Sequence, residues 1–418
     1  MLYGKGSATT TLTGDDVQQL LAQSLAELPL DSKRVLVIIP DGTRTAPIPL
    51  LFRVLYEQLG SRVAQLDYLI ALGTHPPMTE EAIDKLVGVS HAERATRYPN
   101  VQVFNHGWDR PEELQTIGVI SSAEAQQLSE GILTEEVPVT LNRHIFEYDQ
   151  LIICGPVFPH EVVGFSGGAK YLFPGIAGAN IINFTHWLGA RLTSMQIIGV
   201  KDTPVRRVIQ RAAEFVTRPL LCMTLVLKGE ELHGLYIGPH QEAFSQAAHL
   251  SAQLNIIRVE HPFRRVLSLP ATHYDDLWTA AKAMYKTEPV IADGGEVIIY
   301  APHISEISYT HGRLIDEVGY HVQEYFLKQW ERFKTVPGSI LAHSTHVKGT
   351  GTYDAERGIE RPRIQVTLAT SIPAERCERV NLGYADYRTI DPDTWRGREQ
   401  EGLLLVPNAG EMLYRLNV

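Results

Sequence analysis

Residues 34–44, RVLVIIPDGTR, run five apolar strand-forming positions, Val35 to Ile39, into a polar turn. A short, unbroken apolar run of this kind reads as a strand buried on both faces. A helix follows, PLLFRVLYEQLG, opened by Pro47 or Pro49, because proline suits the first helical turn. A second buried run, AQLDYLIALG at 64–73, ends on Gly73-Thr74-His75-Pro76-Pro77, and Thr79 then caps TEEAIDKLVG. VQVFNH at 101–106 and QLIICG at 150–155 supply two more strands. Ahead of them all, Thr13 caps the amphipathic helix VQQLLAQSLAEL. This alternation of strand and helix predicts an α/β fold with mostly parallel sheets. Ligands in such sheets bind beyond the carboxyl ends of the strands. Asp41, Thr43, Arg44, His75 and His106 all fall just after predicted strands, and so does His160.

The chain has 418 residues, which suggests more than one domain. We expect residues 1–262 to form a first α/β domain, joined by the tail 401–418, and residues 263–400 to form a second. An active-site cleft is expected at the domain interface. In the second domain RRVLSLP, EVIIYAP at 296–302, SILAHSTHV and IQVTLAT read as strands. DDLWTAAKAMYKTEPVI and HVQEYFLKQWERF read as helices. Lys plus Arg is 38 and Asp plus Glu is 48, a net charge of −10. An acidic chain is a poor partner for nucleic acid or an anionic membrane. No apolar run is long enough to span a bilayer, and the amino terminus lacks the apolar core of a signal peptide. Cys154, Cys222 and Cys377 are scattered, without CxxC spacing. A reducing, cytoplasmic setting is therefore expected.

The densest chemical signal is HEVVGFSGGAKYLFPGIAG at 160–178, with five glycines between 164 and 178. Glycines let the backbone approach an anion, and successive N–H groups make an anion nest. Ser166, Gly167, Gly168 and Lys170 are the candidates here. The spacing is neither a Walker A nor a dinucleotide fingerprint. A tight turn between domains is the bland alternative. There are 16 histidines. His75, His160 and His186 sit in or beside Gly- or Pro-rich segments. His186 lies in a helical stretch, where packing beside Trp187 competes with a ligand role. His303, His311, His343 and His346 form a second polar group, without HExxH or other zinc spacing. His303, Tyr309, His311, His346 and Lys348 are candidates for contacts to substrate hydroxyls or a carboxylate, with ordinary loop polarity as the alternative. Lys282 sits in the middle of a predicted helix, the ordinary place for a solvated lysine.

DGTRTAP at 41–47, LGTHPPMTEE at 72–81 and the block at 160–178 resemble the nickel-dependent lactate racemase (LarA) superfamily, in order along nearly the whole chain. The resemblance implies two α/β domains and a nickel-pincer nucleotide. This is a pyridinium mononucleotide (pyridinium-3-thioamide-5-thiocarboxylic acid) whose sulfur groups hold nickel. It implies that Lys170 carries the nucleotide as a thioamide and that His186 ligates nickel. It implies that His75 and His160 are acid/base partners, with Arg44 and Lys282 on the substrate. Asp41, Thr43, Ser166, Gly167 and Gly168 fall on the cofactor side. Thr279, also expected on the substrate, stands three before Lys282, where the lactate enzyme has glutamine. Ala169 stands where many members have arginine. YAPHISEISYTHG and AHSTHVKGTGTYD also depart from the lactate pattern. The implied activity is racemisation or epimerisation of a 2-hydroxy acid, with a substrate larger or more polar than lactate, such as a sugar acid. Implied partners are that small molecule and the enzymes that make the cofactor. A nucleotide- or phosphate-binding protein that uses the glycine loop alone is the alternative.

Overall fold

A computed structural model describes residues 1–417. The chain divides into two compact units. The first comprises Met1–Phe158, Phe165–Ile182 and Pro204–Leu254; the second comprises Pro159–Gly164, Asn183–Thr203 and Asn255–Val418.

The first unit is built on a seven-stranded sheet. In spatial order its strands are Tyr3–Gly6, Glu231–Gly238, Leu220–Lys228, Gln150–Pro156, Arg34–Ile39, Gln65–Ile70 and Val103–Asn105. The last five run parallel, with Val35 opposite both Leu66 and Gln150. The two strands nearest the other edge pair antiparallel. Strands 34–39 and 150–156 are neighbours in space but far apart in sequence. The connections leave them toward opposite edges of the sheet, so a topological switch point lies at their carboxyl ends. Val35, Val37, Ile39, Ile152 and Cys154 are wholly buried against the helix Ile48–Leu59 and its neighbours. The Thr13 cap is present as a full capping box with Asp16.

The second unit has a five-stranded, all-parallel sheet, ordered Gly383–Tyr384, Gln365–Thr370, Ile291–Ala301, Phe263–Pro270 and Leu403–Ala409. Its core joins Val266, Val297, Ile299 and Leu368 to Ile340 and Val347.

Several expectations are corrected. The tail 401–418 does not join the first domain. Leu403–Ala409 is an edge strand of the second sheet, and Leu413–Leu416 pairs with Ile256–Val259. The boundary at 262 moves back to 254, and two inserts, 159–164 and 183–203, belong to the second unit. SILAHSTHV is not a strand but most of the helix Gly338–Lys348, begun at Pro337 and closed by Gly349 at φ +82°. Every residue from Ser339 to Val347 is buried, so the segment shows no amphipathic period. The helix read over 275–291 is broken into the short turns Leu277–Ala280 and Lys282–Tyr285. That over 321–333 is broken into Gln323–Leu327 and Trp330–Phe333.

Candidate functional site

In the first unit the turn after strand 34–39 is organised by Asp41. Its Oδ1 accepts the Thr43 N–H at 3.1 Å and the Thr43 hydroxyl at 2.6 Å. Its Oδ2 lies 2.5 Å from His75 Nδ1. Asp41 is 6% exposed. Burial pushes its pKa up, but His75, Thr43 and Arg44 outweigh this and hold the carboxyl well below the usual range. An ionised Asp41 keeps the His75 proton on Nδ1 and leaves Nε2 as the basic nitrogen. His75 comes from the end of the next strand. The Gly73 φ of +59° and the Gly73 N–H to Gly175 O bond (2.9 Å) fix the turn that delivers it.

That bond also ties the turn to the glycine-rich block. Gly167 and Gly168 have φ of +83° and +60°. A Cβ on Gly167 would stand 2.4 Å from Val157 Cγ2, so only glycine lets the loop close on the strand end. The Ser166 hydroxyl is spent on the same closure: it donates to Pro156 O at 3.2 Å and accepts the Phe158 N–H at 2.8 Å. Lys170 stands on the short helical turn Gly168–Tyr171, half-buried. Beneath it Arg206, 2% exposed, donates to the carbonyls of Gly167 (3.1 Å) and Phe165, and lies 4.1 Å over the Phe244 ring. Burial lowers its pKa to about 9. The sequence reading missed Arg206. Its one signal was an arginine flanking the apolar stripe Val205, Val208, Ile209 and Ala212. His106 is an internal brace: Nε2 faces Ala177 O at 3.0 Å, and Nδ1 accepts from Asn142 at 3.2 Å.

The second unit carries His160, His186, Thr279 and Lys282. His160 is buried; its Nδ1 accepts the Val162 N–H at 3.1 Å and lies 3.4 Å from Glu161 Oε2. His186, half-buried, stands on the helix Ala179–Leu192. That helix is clamped to the helix Gly338–Lys348 by Asn183, whose Oδ1 accepts the N–H and hydroxyl of Ser339 at 3.1 and 2.9 Å. Lys282 is 5% exposed rather than solvated. Its Nζ donates to Thr279 O at 3.1 Å and lies 4.5 Å over the Tyr274 ring. The Thr279 hydroxyl is engaged with Asp276 Oδ1 at 2.9 Å, inside a helix cap.

Around Lys282 the polar residues of the second unit sort themselves. Trp278 packs on His311 (4.5 Å) and on His343 (4.0 Å). His343 Nε2 and His346 Nε2 are buried and have no hydrogen-bond partner among the described residues. Burial lowers the His343 pKa, and His346, His311, His186 and Lys282 act in the same direction. His303 and Lys348 are committed elsewhere, to Tyr274 O and Asn381 O. Among the described residues no three His, Cys, Asp or Glu side chains converge as a metal site, and no helix is long and apolar enough to cross a membrane.

Residues 17–196 match the family model described as the lactate racemase N-terminal domain. The chain is 23% identical over 283 residues to a lactate racemase of Thermoanaerobacterium thermosaccharolyticum, covering 67% of this chain and 61% of that protein. It is 26% identical over 167 residues to a lactate racemase of Lactiplantibacillus plantarum, covering 40% and 35%. The matched stretches thus span less than two thirds of these curated relatives. The crystal structure of a Thermotoga maritima protein superposes with a TM-score of 0.91 at 33% identity, covering 99% of this chain and 100% of that one. The lactate racemase apoprotein of T. thermosaccharolyticum superposes with a TM-score of 0.70 at 19% identity, covering 97% and 94%. This last likeness shows the fold.

Proposed function

The chain belongs to the lactate racemase (LarA) superfamily, and from that membership and the geometry above we propose that it is an isomerase, a racemase or epimerase of a 2-hydroxy acid. The observation that carries this reading is the Asp41–His75 pair, a histidine held with one basic nitrogen by an ionised carboxylate. It lies in the same unit as the glycine loop that bears Lys170.

A positioned base alone contributes about 10²–10⁴-fold, or roughly 3–5 kcal/mol. That is too little to remove the C2 proton of a hydroxy acid. The nickel-pincer nucleotide, when bound, supplies the missing part, an acceptor that makes hydride transfer from and back to C2 feasible. The residues fit such a group. The loop with Gly167 and Gly168 at positive φ offers backbone at close range, and Lys170 beside it offers the amine for a thioamide. A group that brings its own sulfur donors needs only a borderline nitrogen ligand, and His186 offers an imidazole. Asp41 and Thr43 complete the cofactor side, while Ser166 serves it by holding the loop closed on the strand end.

The chain's own residues do the rest. Arg44 binds the substrate carboxylate as a two-pronged donor. Lys282, desolvated above Tyr274, adds a second charge. His75 takes the hydroxyl proton at Nε2 for one enantiomer, and His160 serves the other. His343 and His346, each with a buried unfilled nitrogen, favour a substrate with polar groups beyond C3, such as a sugar acid. The three free, buried cysteines suit a reducing cytoplasm. Enzymes that build the nucleotide are the expected partners.

The test is to purify the protein after co-expression with cofactor-making enzymes, and to screen 2-hydroxy and aldonic acids. A visible absorption band, bound nickel and inversion at C2 with retention of a C2 deuterium are expected. A colourless, nickel-free protein that binds nucleotide would favour the binding-protein alternative. Rapid washout of deuterium at C2 would remove the hydride mechanism.

A further inference from the structure

His160 has two neighbours that ask opposite things of one ring nitrogen. The Val162 N–H donates to Nδ1 at 3.1 Å, which requires a lone pair there and keeps the ring proton on Nε2. Glu161 Oε2 lies 3.4 Å from the same Nδ1, and a carboxylate there favours a proton on it. That oxygen is sealed from solvent and has no hydrogen-bond partner among the described residues. Burial pushes the Glu161 pKa up. Lys282, the residue's own backbone, His346 and Lys286 together hold it below the ordinary value. Glu161 is thus an ionised acceptor with an unfilled lone pair, about half an ångström farther from the ring nitrogen than a typical N–H···O bond.

The Nε2–H form is unsuited to either catalytic step. It has no lone pair at Nε2 to receive a proton, and giving one up would leave an imidazolate. We propose that Glu161 is the positioning residue of His160, accepting the Nδ1–H in the working form of the ring while Val162 N–H gives way. The proposal rests on the role assigned to His160 above. In one direction the substrate O–H bond breaks, an Nε2–H bond forms, and the resulting imidazolium stands against the Glu161 carboxylate. In the other direction the Nε2–H bond breaks and the proton goes to the oxygen at C2. Glu161 itself gains no proton in either step. The pair His160–Glu161 would then do for one enantiomer what His75–Asp41 does for the other.

The experiment uses the full chain labelled with ¹⁵N-histidine, without cofactor, and assigns His160 by its loss in His160→Gln. Long-range ¹H–¹⁵N spectra across a pH series report which nitrogen holds the proton. In Glu161→Gln the neutral ring is expected to shift to the Nε2–H form, and the imidazolium-to-imidazole ratio at a given pH to fall by about tenfold. Glu161→Asp, with the charge kept but drawn back by one methylene, should recover part of both. If Glu161→Gln does not fold, the same comparison is made between wild type and Glu161→Asp. An unchanged tautomer and midpoint would overturn the proposal. In the loaded enzyme Glu161→Gln should lower kcat and shift its pH profile, with KM little changed. If the wild type turns over no hydroxy acid, the proposed function fails, and the titration still decides the role of Glu161.

Discussion

Asp41 and His75 are 34 residues apart in the chain, and their side chains meet at 2.5 Å. Each stands at the carboxyl end of a neighbouring parallel strand, so the sheet itself sets their separation. Asp41→Asn keeps the shape and the Thr43 contacts, but an amide does not demand a proton on Nδ1. The variant is expected to fold normally and to lose about 10²–10⁴-fold in kcat. Steady-state kinetics on the loaded enzyme checks this; near-wild-type turnover would separate His75 from catalysis.

Lys170 stands on the turn closed by Ser166, Gly167 and Arg206. Intact-protein mass should show a nucleotide-sized adduct after co-expression with the cofactor-making enzymes. Lys170→Ala should abolish it without altering the melting temperature, since the side chain is half-exposed and no part of the core. A full-level adduct in that variant would move the attachment elsewhere.

His186→Ala should keep the Lys170 adduct but lose nickel on dialysis. On the proposed role of His186, its removal leaves the metal with fewer donors. Elemental analysis before and after dialysis measures this, and undiminished nickel would transfer the ligand role to another histidine.

His106 predicts an acid limit to stability. Burial lowers its pKa to about 4 in the folded chain, against the ordinary 6.5. The unfolded chain therefore binds a proton first as pH falls. Stability from this residue is complete above pH 6.5, declines through the window from 6.5 to 4, and is lost below it. The total is of order 3 kcal/mol. Urea midpoints at pH 7 and pH 4.5 should differ accordingly. The difference should shrink in His106→Gln, which keeps a donor and an acceptor but does not titrate.

Gly164→Ala should destabilise by about 3 kcal/mol or more, because φ is +82° and the new Cβ would meet Val200 O at 1.8 Å. Gly131→Ala is the control. Its φ is +84° with nothing within 4 Å of the added Cβ, so only the left-handed cost of about 1 kcal/mol remains. Equal losses in the two variants would mean that the Val200 segment yields freely.

Four strands of the first unit, at 34–39, 65–70, 103–105 and 150–156, were legible because each is an apolar run bounded by turn residues, a pattern carried by adjacent positions; the edge strand Tyr3–Gly6, YGKG, carries no such run. The same locality placed Asp41, Arg44 and His75 at strand ends, where a parallel sheet presents its ligand-binding edge. The glycine block was legible because positive φ at Gly167 and Gly168 is a backbone demand that only certain residues meet. The helix Gly338–Lys348 was not, since burial on every side erases the period that tells helix from strand.

Tertiary structure alone decided which partner each polar group found. Nothing near Arg206 in sequence announces that its guanidinium will hold the carbonyls of Phe165 and Gly167. Nothing near Lys282 announces its burial over Tyr274. The tail 401–418 was expected beside the first domain, and only the open edge beside Phe263–Pro270 determines that Leu403–Ala409 completes the second sheet. Secondary structure follows from interactions among near neighbours, which the sequence lists in order. The proton state of His75 or His160 depends on a carboxylate or an amide brought within about 3 Å, and that distance exists only once the chain has folded.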